Sequence, residues 1–139
     1  MHKVLFRCKY KDSGKWVYWD MLGRITTSTG KISKFTRKTK YGESYYHFAH
    51  QLWDKLDRAT LGECTGLKDG FKKLIFEGDI LVGPYFGDDD GYGVVCWDNG
   101  AWEVRNEHAS CPLNKNIRST LYDVIGNIYD DPTLVEVDQ

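Results

Sequence analysis

The stretch "GVVCWDNGAWEVR", Gly93–Arg105, narrows the possible folds more than any other part of the chain. Val94, Val95 and Trp97 precede Asp98-Asn99-Gly100, and Trp102 and Val104 follow it. Asn-Gly is favoured in two-residue type I′ turns, where both central residues take φ > 0. β-branched and aromatic flanks complete the pattern of a tight antiparallel hairpin. The same grammar recurs at the start. "VLFRCKY" (Val4–Tyr10) and "KWVYWDML" (Lys15–Leu22) flank "KDSG", whose Gly14 supplies a positive φ. "GRITTSTGKISKF" adds a third and fourth strand around Gly30. "KKLIFEGD" is a strand entering a turn, and "DILVGPYF" opens the next strand. "TLYDVIGNIY" (Thr120–Tyr129) is a last strand, with Gly126 as a bulge or close-approach point. "GDDDGYG" (Gly87–Gly93) reads as loop, and "NEHASCPLNKN" as irregular chain with room for one helical turn.

One segment changes period. Tyr45, Phe48, Ala49, Leu52, Trp53 and Leu56 recur at helical spacing, with Ser44 as N-cap and Gly62 as stop. This predicts a helix over about 45–58, with Asp54 and Arg58 paired four residues apart. The expected fold is therefore mainly β with one helix. Residues 1–62 form an N-terminal β-rich hairpin lobe with a basic linker and the helix. Residues 63–139 form an SH3-like small β-barrel and a tail.

Length and composition fit this. The 139 residues suffice for one ordinary domain or two small lobes, and 41% hydrophobic residues exclude global disorder. No apolar run approaches the ~20 residues that cross a bilayer. The first residues show no apolar signal region, so the expected location is the cytoplasm. Cys8, Cys64, Cys96 and Cys111 lie far apart without a CxxC, which favours buried thiols over disulfides. The net charge of −1 conceals a split. Residues 1–60 hold 13 Lys/Arg and 5 Asp/Glu, a net +8, and residues 61–139 hold 6 and 15, a net −9. The asymmetry suggests an anionic partner for the first half, association between subunits, or neutralisation within one molecule.

Candidate chemistry is sparse. Glu77-Gly78-Asp79 resembles a carboxylate pair, but Gly followed by Asp before an apolar strand reads better as a turn, with Asp accepting backbone N–H bonds. Asp88–Asp90 lacks the alternating ligands of a calcium loop. His47, His50 and Asp54 would share one side of the predicted helix, as metal ligands or as its solvated face, and the solvated face is preferred. His108-x-x-Cys111 has only distant partners, Cys64 and Cys96. P-loop, GxGxxG and GxSxG motifs are absent, so no cofactor, no metal and no enzymatic activity are expected. The basic segment is the best candidate. Lys31, Lys34, Arg37, Lys38 and Lys40 place five cations in ten residues, interleaved with Phe35 and Tyr41. Cations neutralise phosphates and exposed aromatics stack on unpaired bases, so these seven residues are the candidate nucleic-acid contacts. The alternative is a solvated loop facing an acidic surface.

Several segments together carry a resemblance. They are Thr65-Gly66-Leu67-Lys68-Asp69, Ile75-Phe76-Glu77-Gly78-Asp79-Ile80 and Val124-Ile125-Gly126-Asn127-Ile128-Tyr129, followed by Pro132 and Leu134. With the opening "FRCKYKDSGKWVYWDML", they resemble the YopX family, small proteins of phages and prophages. Residues 30–62 do not align with that pattern, and Cys64 stands where an aromatic residue is common. The resemblance implies a phage-related origin and no transferable activity. The expected function is a non-enzymatic phage or prophage accessory protein that binds a macromolecule, nucleic acid among the candidates, and self-associates. The alternative is an interaction module acting on a host protein, and an enzyme ranks third. No membrane partner is expected.

Overall fold

The computed structural model describes residues 4–32, 49–83, 91–107, 109–114 and 119–134. The chain divides into two compact units, Met1–Glu63 and Cys64–Gln139. Both are built from antiparallel strands, so the mainly β expectation holds.

In the first unit, β1 (Leu5–Tyr10) and β2 (Trp16–Asp20) form the expected hairpin, and Gly14 takes φ 68° in its turn. β3 (Ile25–Thr26) lies beside β2, and Thr26 bridges Ile32 across the turn at Gly30. On the other side of β1 runs β4 (Leu56–Lys68), which continues beyond residue 63 into the second unit. Alternation sorts the hairpin faces. Cys8, Val17 and Trp19 turn inward with Ala49 and Leu56, and Phe6 stacks on Trp19 at 6.0 Å between centroids. Arg7, Lys9, Trp16 and Tyr18 occupy the opposite face, with Lys9 directly across from Trp16.

The expected helix is largely replaced. Ala49–Lys55 is a 3-10 helix, and the chain becomes β4 at Leu56. Leu56 and Asp57 pair with Tyr10 and Lys9, so strand pairing to β1 overrides the helical spacing there. Gly62 is consequently not a helix stop but a strand residue opposite Arg7. The segment 45–48 lies outside the described residues.

In the second unit, the end of β4 pairs with β5 (Leu74–Phe76). A five-stranded sheet follows, in the order β10-β6-β7-β8-β9. Its strands are β6 (Asp79–Val82), β7 (Tyr92–Asp98), β8 (Ala101–Arg105), β9 (Ser110–Pro112) and β10 (Asp123–Asn127). The β7–β8 turn is the expected type I′, with Asn99 at φ 51° and Gly100 at φ 79°. β9 falls where irregular chain was expected. Its three residues follow β8 by hydrogen bonding to it, a pairing that "SCP" does not advertise. Ile75, Leu81, Val95, Val104, Leu113 and Tyr122 form the core of this unit.

Among the described residues the pairings run as an open series with β10 and β9 as edges, and they do not close the SH3-like barrel expected for residues 63–130. The edges are blunted rather than joined. Pro112 ends β9, and the register of β10 shifts between Val124 and Gly126, as the Gly126 bulge predicted. The last strand is also shorter than Thr120–Tyr129, because Ser119–Leu121 is a 3-10 turn.

Candidate functional site

Of the seven candidate nucleic-acid contacts, Lys31 is described and exposed. Lys34, Phe35, Arg37, Lys38, Lys40 and Tyr41 lie outside the described residues, as do His47, Asp88–Asp90 and His108. His50 and Asp54 sit exposed on the 3-10 helix. That helix has three residues per turn, so positions i and i+3 eclipse while i and i+4 diverge. His50 is therefore aligned with Trp53, not with Asp54, and the shared His/Asp face does not form. Among the described residues no group of three or more His, Cys, Asp or Glu could hold a metal ion.

The cysteines are all free thiols, with Cys8 and Cys64 buried. Cys8 Sγ donates to the Asp57 carbonyl at 3.0 Å. Burial pushes the half-exposed Cys96 thiol above its usual range, against the opposing pull of Arg105. The thiolate is the nucleophile, so this shift disfavours nucleophilic work at Cys96.

The first unit carries a surface that sequence reasoning missed. Asp20 ends β2 and shapes the turn that follows. Its Oδ1 accepts the N–H groups of Leu22 (3.0 Å) and Arg24 (2.9 Å), and its Oδ2 accepts Arg24 Nε at 2.8 Å. Gly23, at φ 81°, donates to the Asp20 carbonyl. This turn holds Met21 (71% exposed) and Leu22 (67% exposed) outward. Beside them a groove of about 530 Å³ is lined by Trp19, Met21, Leu22, Gly23, Ala49, His50 and Trp53. Cations stand on the aromatics of this unit. Arg58 lies over the Trp53 ring at 5.5 Å, and Arg7 and Lys9 lie over Trp16 at 4.5 and 5.4 Å. The available signal was "DMLG": Asp two residues before an N–H, a Gly able to take φ > 0, and two large apolar residues stranded between them.

The residues that carried the resemblance do different work. Asp69 is buried and accepts three backbone N–H groups. Phe71 and Lys73 donate to Oδ1 at 2.9 and 2.8 Å, and Val124 donates to Oδ2 at 2.9 Å. Thr65 Oγ1 donates to the Ile75 carbonyl and accepts the Leu67 N–H. Asp79, also buried, accepts the Phe76 N–H at 2.8 Å across Gly78, which takes φ 88°. The Glu77-Gly78-Asp79 triplet thus closes a turn, as its composition indicated. Asn127 Oδ1 accepts the N–H groups of Tyr129 and Asp130. A Cβ at Gly126 would strike the Asp131 carboxylate, whose Oδ2 accepts the Asn127 N–H.

The family model described as "YopX protein" matches residues 5–136, nearly the whole chain. The chain belongs to the YopX family. The match includes residues 30–62, which the sequence resemblance left unaligned. The YopX chain is also similar to the crystal structure of protein EF1440 from Enterococcus faecalis. Identity is 21%, the match covers 96% of this chain and 98% of that one, and the TM-score is 0.54. That likeness concerns the fold. No curated protein matches this YopX chain. No helix among the described residues is long and apolar enough to cross a membrane. The YopX resemblance maps onto the β1–β2 hairpin of the first unit and onto turns and strand junctions of the second.

Proposed function

We propose that this YopX protein is a non-enzymatic accessory factor of a phage or prophage that binds nucleic acid through its first sixty residues and self-associates. The observation that carries the reading is the combination of a net +8 with cations placed on surface aromatics, Arg58 on Trp53 and Lys9 on Trp16. Phosphates seek the cations and unpaired bases seek the rings. The basic run Lys31–Lys40 extends the same chemistry. The net −9 of residues 61–139 offers a complementary charge to a second copy. Of the carboxylate pair Glu77/Asp79, Asp79 is buried and engaged by the Phe76 N–H, which supports a binding role over an enzymatic one. Exposed Met21 and Leu22 favour a second reading, docking of a host protein.

Fluorescence anisotropy across a salt series tests the proposal. Affinity for a labelled oligonucleotide should fall steeply with salt. Changing Lys34, Arg37 and Lys38 to Gln should flatten the slope by roughly one unit per lost phosphate contact. Sedimentation of the same samples reads self-association. Absence of any salt-sensitive binding at low ionic strength would move the assignment to a protein partner.

A further inference from the structure

We infer that the groove between the β2–β3 turn and the 3-10 helix Ala49–Lys55 receives an unpaired base, so that the ligand of the first unit is single-stranded nucleic acid rather than duplex. This rests on the nucleic-acid reading of that unit and specifies where and in what form the ligand is held. Four observations converge.

The groove is built rather than incidental. The Ala49 N–H donates to the Gly23 carbonyl at 2.8 Å, which ties the helix to the turn. The Asp20 carboxylate fixes the turn itself through the Leu22 and Arg24 N–H groups. Its walls suit a flat, polarisable ligand. Trp53 is 37% exposed, and His50 eclipses it one helical turn earlier. Met21 and Leu22 also line the groove, together with Trp19 and Ala49, both buried in the core. A thioether and an aliphatic branch pack well against an aromatic face.

Charge identifies the occupant. Arg58 lies over the Trp53 indole, and Trp53 also lines the groove, so a cation and an aromatic wall meet at one side chain. Exposed Lys55 and Arg58 lie on either side of Leu56, where the helix passes into β4, and offer positions for the phosphates that flank such a base. An acidic or purely apolar partner would not need both elements at once. Bases within a duplex have their faces covered by stacked neighbours, so only an unpaired base can enter a recess of this type.

The test compares a labelled single-stranded oligonucleotide with a duplex of the same length, by anisotropy at low salt. The proteins are native, Trp53→Ala, Trp53→Phe and Leu22→Ser, each checked by its melting curve. Native protein should prefer the single strand by roughly tenfold or more, the value of one good stacking contact. Trp53→Ala and Leu22→Ser should lose most of that preference while duplex binding persists, and Trp53→Phe should keep most of it. Equal binding of both forms by native protein, or native-like single-strand affinity in Trp53→Ala, overturns this inference and leaves the nucleic-acid reading standing. No binding of either form overturns both. A protein captured by native protein and lost in Leu22→Ser, with no oligonucleotide bound, replaces the base with a protein ligand.

Discussion

Both units tie turns with Asp carboxylates, but those of the second are buried while the first also sets cations against surface tryptophans. In the second, Asp69, Asp79 and Asn127 point inward and accept backbone N–H groups at turns. In the first, Arg58, Lys9 and Lys31 are at the surface, two of them resting on tryptophans. Buried carboxylates of the first kind hold irregular backbone that would otherwise carry orphan donors. Surface cations of the second kind contribute little to stability and much to recognition. The signature residues Thr65–Asp69, Ile75–Ile80 and Val124–Tyr129 lie in the second unit and help to hold its turns. The residues proposed to bind belong to the other unit. A family signature can be long and specific and still say nothing about activity, because what it records is turn chemistry.

The largest expected effect tests whether the inward carboxylates are structural. Asp69→Ala leaves the N–H groups of Phe71, Lys73 and Val124 without their acceptor. Hydrogen bonds to charged groups and the stranding of buried donors put the loss at about 3 kcal/mol. Asp20→Ala removes the same kind of acceptor from a turn in the first unit, where water can reach the donors, so about 1 kcal/mol is expected. Urea denaturation of both variants reads the pair. Equal losses would erase the contrast between the units. Folded, stable Asp69→Ala would show that this carboxylate does not hold the turn.

Much of the fold was legible because its turns are written in local chemistry. Asn99-Gly100 specified a type I′ hairpin, Gly14 the first hairpin, Gly78-Asp79 a closed turn and Gly126 a bulge, and each is found. What failed was decided by partners distant in sequence. Leu56 sits at helical spacing from Leu52 and Trp53, yet it pairs with Tyr10, forty-six positions earlier. Short β9 failed differently: its partner β8 is near in sequence, but "SCP" carries no strand signal and takes its ladder from β8. Barrel closure was inferred from strand number and spacing, which do not determine whether edge strands meet. The groove escaped notice for another reason. Met21 and Leu22 look like the end of a core strand until the Asp20 turn directs them outward.

A smaller effect probes a turn that sequence read correctly. A Cβ at Gly100 would have nothing within 4 Å, so packing cannot resist a side chain there. Its φ of 79° can. Gly100→Val should therefore destabilise by about 1–3 kcal/mol through backbone strain alone. A thermal melt measures it. An unchanged midpoint would mean that the hairpin relaxes to another turn type, and that local chemistry specifies the second unit less tightly than its signature suggests.

The smallest expected effect concerns an outward-facing charge cluster of the second unit, and it asks whether surface charge there behaves as in the first. Arg105 Nη2 donates to Asp98 Oδ2 and Glu103 Oε2, both at 2.6 Å, on the exposed face of the β7–β8 hairpin. The hydrogen bond from Arg105 holds the Asp98 carboxyl below its usual value of 3.8. A depressed folded value means that the ionised pair stabilises the fold fully above 3.8, and that this contribution fades as pH falls from there through the lowered value. Replacing Arg105 with Gln abolishes the pair. The gap in melting temperature between native protein and Arg105→Gln should be constant above about pH 5, narrow in the acid range, and shrink with added salt, as exposed pairs are screened. Asp98 is solvated, so the gap should be small throughout. A large, salt-insensitive gap would place this cluster with the buried staples of the second unit instead of with the solvated cations of the first.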